Sequence, residues 1–109
     1  MPLVPLEIGG RVVEFVIDTG FDGEVAIPYE LAEELGIRPM AITYVKLGDG
    51  SFCLMGVSIT SVVVEGAEIP VEVLLGSSEP IVGTGFLKHF KFILDIGAGL
   101  VELEPHRPC

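Results

Sequence analysis

Asp18 stands where a hydrophobic segment ends, in 12-VVEFVIDTG-20. The residues before it have the composition of an interior strand, so its carboxylate is expected at the end of that strand. An unpaired charge is costly in such a place, and the carboxylate must therefore be satisfied locally or used in chemistry. The local explanation is an Asx-type turn, in which an aspartate before a glycine accepts hydrogen bonds from nearby backbone amides. The functional explanation is general acid–base catalysis.

The elements that would position Asp18 are nearly all strands. Hydrophobic, β-branched runs alternate with turn signals, of which Gly9-Gly10 has the form of a two-residue hairpin loop. Pro28 and Gly36 frame one helix, and the apolar spacing near the third quarter of the chain indicates a second. The fold class is therefore mainly β, a closed or partly closed barrel with two short helices. The predicted strands cover residues 3–8, 11–17, 24–27, 41–47, 51–64, 69–75, 81–83, 92–96 and 100–103, and the predicted helices cover 29–35 and 84–90.

Three motifs occur in a definite order along the chain. The first is 16-VIDTG-20, the second is the glycine-rich hairpin 46-KLGDGSFCLMG-56, and the third is 81-IVG-83 followed by the helical segment 84-TGFLKHF-90. In order and spacing they resemble the motifs of the retropepsin-like aspartic proteases, single-domain relatives of pepsin that work as homodimers. The resemblance covers most of the chain. It implies a closed acid-protease β-barrel in which residues 1–109 form one domain.

Two positions depart from the family's usual pattern. A small residue commonly follows Asp-Thr-Gly, whereas this chain has Phe21, which would narrow the cleft or pack beneath it. The glycine of the third motif is often followed by a polar pair, whereas Thr84-Gly85 follows it here. Neither change touches the catalytic carboxylate, but both bear on substrate preference.

The resemblance makes Asp18 the catalytic residue. Two carboxylates about 3 Å apart cannot both be ionised, so such a pair shares a proton. One of them then takes a proton from a bound water while the other protonates the substrate, without a covalent intermediate. Of the aspartates only Asp18 lies in Asp-Thr-Gly, so a second chain must supply the second carboxylate, and a two-fold homodimer is expected. The aspartates are Asp18, Asp22, Asp49 and Asp95.

The resemblance also assigns roles around Asp18. The Thr19 hydroxyl would bond to the partner's loop, and the Gly20 N–H would bond to a carboxylate oxygen while the absent side chain permits close backbone approach. The second motif would be the flap that closes over a peptide and excludes water, although most such hairpins are only connections. The substrate-binding residues are then Phe21, Gly48, Asp49, Gly50, Ser51 and Phe52. In retroviral members both ends of each chain form strands of a sheet that the two protomers share. Prolines near both ends of this chain are expected to interrupt such strands. They are Pro2, Pro5, Pro105 and Pro108.

Composition excludes several other functions. A formal net charge of −10 opposes binding to nucleic acid and to anionic membranes, both of which depend on clustered Lys and Arg. Cys53 and Cys109 form neither a disulfide framework nor a zinc site, and with no visible secretory signal a cytoplasmic protein is expected. The acidic segment 18–24 lacks the bidentate Glu of a calcium loop. We therefore expect no metal and no cofactor.

Two functions of different classes remain open. The first is an aspartic endopeptidase that hydrolyses peptide bonds between two Asp18 carboxylates, one from each protomer of a homodimer. The second is a peptide-binding or dimerisation module on the same fold, weakly active or inactive, that keeps Asp-Thr-Gly for structure.

Overall fold

A computed structural model describes residues 2–46, 49–95 and 100–105. It contains nine strands and two helices in the described part of the chain. The strands are β1 (Leu3–Ile8), β2 (Arg11–Ile17), β3 (Val25–Ile27), β4 (Ala41–Lys46), β5 (Phe52–Val64), β6 (Ala67–Leu75), β7 (Ile81–Val82), β8 (Phe90–Asp95) and β9 (Leu100–Pro105), and the helices are α1 (Tyr29–Leu35) and α2 (Thr84–Leu87).

Six of the strands close into a barrel, as the sequence predicts. Around it the order is β1, β2, β7, β3, β6 and β5, and β5 returns to β1 through the pairs Glu7–Val63 and Ile8–Val62. β4 continues the sheet beyond β5 as a hairpin arm, and the β8–β9 hairpin joins β1 through the pair Leu3–Leu100. The sheet is therefore a closed barrel with two projecting hairpins.

The first hairpin shows why the chain folds this way locally. Gly9 and Gly10 have φ angles of 60° and 78°, which match the two-residue turn that joins twisted antiparallel strands. The turn fixes the register of β1 against β2, and alternate residues of β1 are then directed into the core. Phe15 of β2 and Phe86 of α2 are fully buried within that same core.

Pro5 does not interrupt β1, contrary to the expectation from sequence. It pairs with Glu14 of β2, one residue away from the pair Leu6–Val13. Counting back from the two-residue turn, where Ile8 and Arg11 form a hydrogen-bonded pair, Pro5 falls at a position whose nitrogen points away from β2. A missing N–H costs nothing there. Pro105 likewise lies within β9, paired with Phe90, and Pro108 lies outside the described residues.

The second helix is shorter than predicted. The pattern of apolar residues predicts a helix over 84–90, whereas α2 ends at Leu87 and Phe90 begins β8. Phe86 and Leu87 are buried, as their spacing implies. Phe90 instead pairs with Pro105 across the β8–β9 hairpin, so a long-range pairing overrides the local helical pattern.

The first helix is bounded as predicted. α1 follows Pro28 and ends at Gly36, whose φ of 72° is the left-handed conformation typical of a glycine helix terminus. Neither helix in the described ranges is long and apolar enough to cross a membrane.

Candidate active site

The backbone at Asp18 is fixed by two parallel strands. β2 pairs with β7 through Val16–Ile81 and Ile17–Val82, and Val82 is fully buried. The N–H of Asp18 extends this ladder by donating to the Val82 carbonyl oxygen at 3.0 Å. Asp18 is therefore the first residue beyond the barrel strand, at a half-buried position where its side chain is partly open to solvent.

The Asp18 carboxylate is bonded within its own loop. The Gly20 N–H donates to Asp18 Oδ1 at 2.9 Å, and the Phe21 N–H donates to the Asp18 carbonyl oxygen at 3.2 Å. A Cβ on Gly20 would lie 3.2 Å from Oδ1, closer than most real Cβ contacts. The Asx-type turn expected from sequence is present. It occupies one carboxylate oxygen and is compatible with a catalytic use of the other. Thr19 is exposed beside it.

The third sequence motif is hydrogen-bonded to the loop that follows Asp18. The N–H groups of Gly83, Thr84 and Gly85 donate to the carbonyl oxygens of Glu24, Phe21 and Gly23 at 3.0, 2.8 and 3.0 Å. A Cβ on Gly83 would collide with the carbonyl oxygens of Phe21 and Gly23, and a Cβ on Gly85 would lie 2.8 Å from that of Asp22. The two glycines therefore permit backbone-to-backbone contact. Gly85 replaces one residue of the polar pair that is usual in the family. Glycine is required here because any side chain would crowd the Asp22 carbonyl oxygen.

Phe21 is both packed and part of the cleft. Its ring lies against the backbone of Gly23 and Gly83, so close that a Cβ at either glycine would collide with it. The ring also packs against a buried cluster of Ala26, Met55 and Leu74. Phe21 is only half-buried. Of the two possibilities raised by the sequence, narrowing the cleft and packing beneath it, the structure is consistent with both.

A groove of about 610 Å³ runs beside the Asp18 loop. Its lining begins at Gly20, two residues beyond Asp18, and combines an apolar floor with exposed charged side chains of both signs. The lining residues are Gly20, Phe21, Asp22, Gly23, Thr43, Tyr44, Val45, Lys46, Glu72 and Leu74.

The predicted flap is the β4–β5 hairpin. Its strands pair from Ala41–Val57 to Lys46–Phe52, and Gly48 at its tip lies outside the described residues. Within the tip, Asp49 Oδ1 accepts hydrogen bonds from Ser51 Oγ at 2.6 Å and from Ser51 N–H at 2.9 Å. These bonds, the hydroxyl first, lower the pKa of Asp49 below its ordinary value of 3.8. Gly50 completes the turn with a φ of 88°.

The two faces of the flap hairpin differ. Val45, Cys53 and Met55 lie on one face and pack with the cluster around Phe21 and Leu74. Phe52, with two-thirds of its side chain exposed, lies on the opposite face by strand alternation. Val45 lines the groove, and Phe52 is not among the lining residues.

Several groove residues were not identified from sequence. Tyr44, Val45 and Lys46 directly precede the tip, and a hairpin with its tip at Gly48-Asp49-Gly50 places them beside the cleft. Glu72 carries no comparable signal, because it reaches the site only through the pairing of β6 with β3. Within the described ranges, no group of three or more His, Cys, Asp or Glu side chains could hold a metal ion.

Known structures have the same fold. A retropepsin-like aspartic protease from Rickettsia conorii is 23% identical with a TM-score of 0.66, over 85% of this chain and 75% of the other. The retroviral protease-like domain of Ddi1 from Leishmania major is 21% identical with a TM-score of 0.61, over 95% and 88%. EIAV protease, solved with the inhibitor HBY-793, is 17% identical with a TM-score of 0.65, over 80% and 85%.

Sequence comparison gives the family directly. No curated protein matches the chain. A family model described as aspartyl protease matches residues 4–87, a span that begins in β1, contains Asp18 and the flap, and ends with α2. The chain, with its closed barrel and its Asp-Thr-Gly loop held by Gly83, belongs to the aspartyl protease family, and its fold is retropepsin-like.

Proposed function

We propose that the chain is an aspartic endopeptidase whose active site forms between two copies. The observation that carries this proposal is the Asp18 loop. It follows a barrel strand, is bonded to β7 through the Val82 carbonyl oxygen, and holds its carboxylate with the Gly20 N–H. Such fixed geometry is what a catalytic pair of carboxylates needs, because the rate depends steeply on their placement.

Asp18 of each protomer supplies one carboxylate. Brought together, the two share a proton, because two negative charges about 3 Å apart are strongly unfavourable. The ionised carboxylate removes a proton from a water molecule, which attacks the peptide carbonyl, and the protonated partner donates to the carbonyl oxygen. When the tetrahedral intermediate collapses, the protonated carboxyl donates its proton to the leaving amine nitrogen and the other carboxylate takes a proton from a hydroxyl of the intermediate, so the pair again shares one proton.

A homodimer is needed because one chain contains a single Asp-Thr-Gly motif, whereas the mechanism uses two carboxylates. Each copy provides one Asp-Thr-Gly loop, one flap and one groove of about 610 Å³. Thr19, exposed beside Asp18, is available to the partner's loop. Each copy also carries a formal net charge of −10, so association is opposed by repulsion that salt screens over about 10 Å at 0.1 M.

The substrate in this proposal is an extended peptide. The groove presents an apolar floor at Phe21 and Leu74, and exposed charges at Asp22, Lys46 and Glu72. Apolar side chains of the peptide would contact the floor, while its backbone would lie between the Asp18 loop and β4. The flap covers the bound peptide and excludes bulk solvent, while the one reacting water molecule stays between the carboxylates.

The experiment that tests this function is direct. The purified chain is incubated with a denatured protein across acidic to neutral pH, with and without a statine-type inhibitor, and Asp18→Asn is treated in the same way. We expect cleavage that the inhibitor blocks and that the variant lacks. If wild type binds peptide but does not cleave it at any pH, the chain is instead the peptide-binding module considered above.

A further inference from the structure

The flap hairpin leaves the barrel at one place in β5. The first part of this long strand pairs with β4 and the last part pairs with β6, and only Gly56 and Val57 take part in both ladders. Beyond Gly56, towards the tip, β5 forms ladder pairs with β4 and none with β6. A movement of the flap relative to the barrel must therefore bend the chain at Gly56.

Three groups converge on Gly56. Its N–H donates to the Tyr29 hydroxyl oxygen at 3.3 Å. A Cβ at this position would lie 3.0 Å from Cβ of Pro39 and 3.4 Å from Cβ of Leu75. Gly56 is buried. The base of the flap is thus enclosed by the start of α1, the loop that leads into β4, and the end of β6.

Tyr29 is anchored independently of the flap. It is the first residue of α1, and its ring lies over Gly76, where a Cβ would be 3.0 Å from Cε2 of the ring. The Gly76 N–H donates to the Ile27 carbonyl oxygen at 2.9 Å, at the end of β3. The ring also forms one wall of a cavity of about 480 Å³ that is shared with Pro39 and Leu75. Pro39, which contacts Gly56, therefore borders open space.

We propose that Tyr29 is a positioning residue for the flap, with its hydroxyl acting as a latch on Gly56. When the Gly56 N–H is bonded, the base of the hairpin is held against the barrel and the flap lies over the groove. When the bond breaks, β5 bends at Gly56 and the flap rises. The catalytic part of this inference rests on the proposed function, whereas the mechanical part does not.

Hydrogen–deuterium exchange tests the mechanical part without any need for activity. Tyr29→Phe removes one hydroxyl from a side chain that is 48% exposed and keeps the ring on Gly76. Exchange of flap amides, in peptides covering 40–46 and 52–57, should be about threefold faster than in wild type, as expected for the loss of a long neutral hydrogen bond. Exchange in residues 3–8 of the barrel should not change. Glu30→Gln, on the next residue of α1, is the matched control and should leave the flap as in wild type.

Two exchange results would overturn the proposal. One is flap exchange in Tyr29→Phe equal to that of wild type. The other is equal acceleration in flap and barrel, which would mean that Tyr29 contributes only to global stability. Tyr29→Leu, which also removes the ring from Gly76, should accelerate the flap at least as much as Tyr29→Phe.

Kinetics test the catalytic part. With a cleavable peptide, Tyr29→Phe should raise KM about threefold and change kcat less, because the closed flap is less populated when substrate binds. An unchanged KM together with a faster-exchanging flap would refute the positioning role. If wild type cleaves no peptide, the proposed function fails while the exchange measurement still decides the latch.

Discussion

The N–H of Gly20 donates to Oδ1 of Asp18 at 2.9 Å. A Cβ added at Gly20 would lie only 3.2 Å from the same oxygen. The two residues thus fix one carboxylate oxygen from the backbone of their own loop. This leaves the other oxygen for the partner carboxylate and the water in the proposed dimer.

Gly20→Ala is expected to lower activity more than stability. The added methyl group crowds Oδ1 and displaces the carboxylate by a few tenths of an ångström, which should reduce kcat about tenfold or more. The free energy of unfolding, measured with urea, should fall by less than about 1 kcal/mol, because the loop is exposed at this residue. Wild-type kcat in this variant would show that the placement of Oδ1 is not critical.

Gly83→Ala is expected to lower stability more than activity. Its Cβ would collide with the carbonyl oxygens of Phe21 and Gly23, which are backbone atoms and cannot rotate away. We expect the free energy of unfolding to fall by about 3 kcal/mol. Thr84→Ala is the control: its hydroxyl makes one long contact, 3.4 Å to the Phe21 carbonyl oxygen, and its loss should cost less than about 1 kcal/mol. Equal stabilities for the two variants would contradict the close packing assigned to Gly83.

Phe21→Ala should change both stability and cleavage preference. The ring packs with Ala26, Met55 and Leu74 and also lines the groove, so its loss should lower the free energy of unfolding by about 2 kcal/mol. It should also admit larger substrate side chains, measured by cleavage of a peptide library. If stability falls while side-chain preference stays the same, Phe21 has only a packing role.

Ser51→Ala should raise the pKa of Asp49. The Ser51 hydroxyl is the largest cause of the lowered pKa, and its removal leaves the smaller contributions of the Ser51 and Asp49 backbone N–H groups. The pKa of Asp49 is lowered in the folded state, so its ionised carboxylate stabilises the turn at pH values above the ordinary pKa of 3.8. That stabilisation is lost as the pH falls through the lower, folded-state pKa. The hydrogen bonds that Asp49 accepts from Ser51 should therefore persist in mildly acidic solution. A carboxyl ¹³C NMR titration measures the change, and an Asp49 pKa unaltered by the substitution would exclude the hydroxyl as its cause.

Much of the fold could be predicted from sequence because local signals agreed with the tertiary structure. The glycine pair after Ile8 fixes a hairpin, and Pro28 with Gly36 frames a helix. The predictions were wrong where long-range pairing decided the outcome. Phe90 has helical spacing but lies in a strand because it pairs with Pro105 across the β8–β9 hairpin. The expectation for Pro5 was wrong for a local reason, because the register set by the two-residue turn points its nitrogen away from β2.

The candidate site was predictable only in part, for the same physical reason. Asp18 and Gly20 are only two positions apart in sequence, so the turn between them could be anticipated. Glu72 reaches the groove only because β6 pairs with β3, and the bond between Tyr29 and Gly56 joins residues far apart in sequence. Consecutive residues of β4, from Thr43 to Lys46, line the groove, and this could not be read from sequence because it depends on where the whole hairpin lies against the barrel.

The most direct test of the shared active site is an activity titration of wild type with Asp18→Asn. Asparagine keeps an oxygen acceptor for the Gly20 N–H, so the variant should fold and pair as wild type does. The two chains are mixed at constant total concentration under conditions that allow subunit exchange, confirmed by sedimentation, and wild type diluted into buffer is the control. If both carboxylates are required, activity follows the square of the wild-type fraction, so an equal mixture retains about one quarter of the activity. Activity that falls linearly, to about one half, would mean that each chain holds a complete site and would contradict the account.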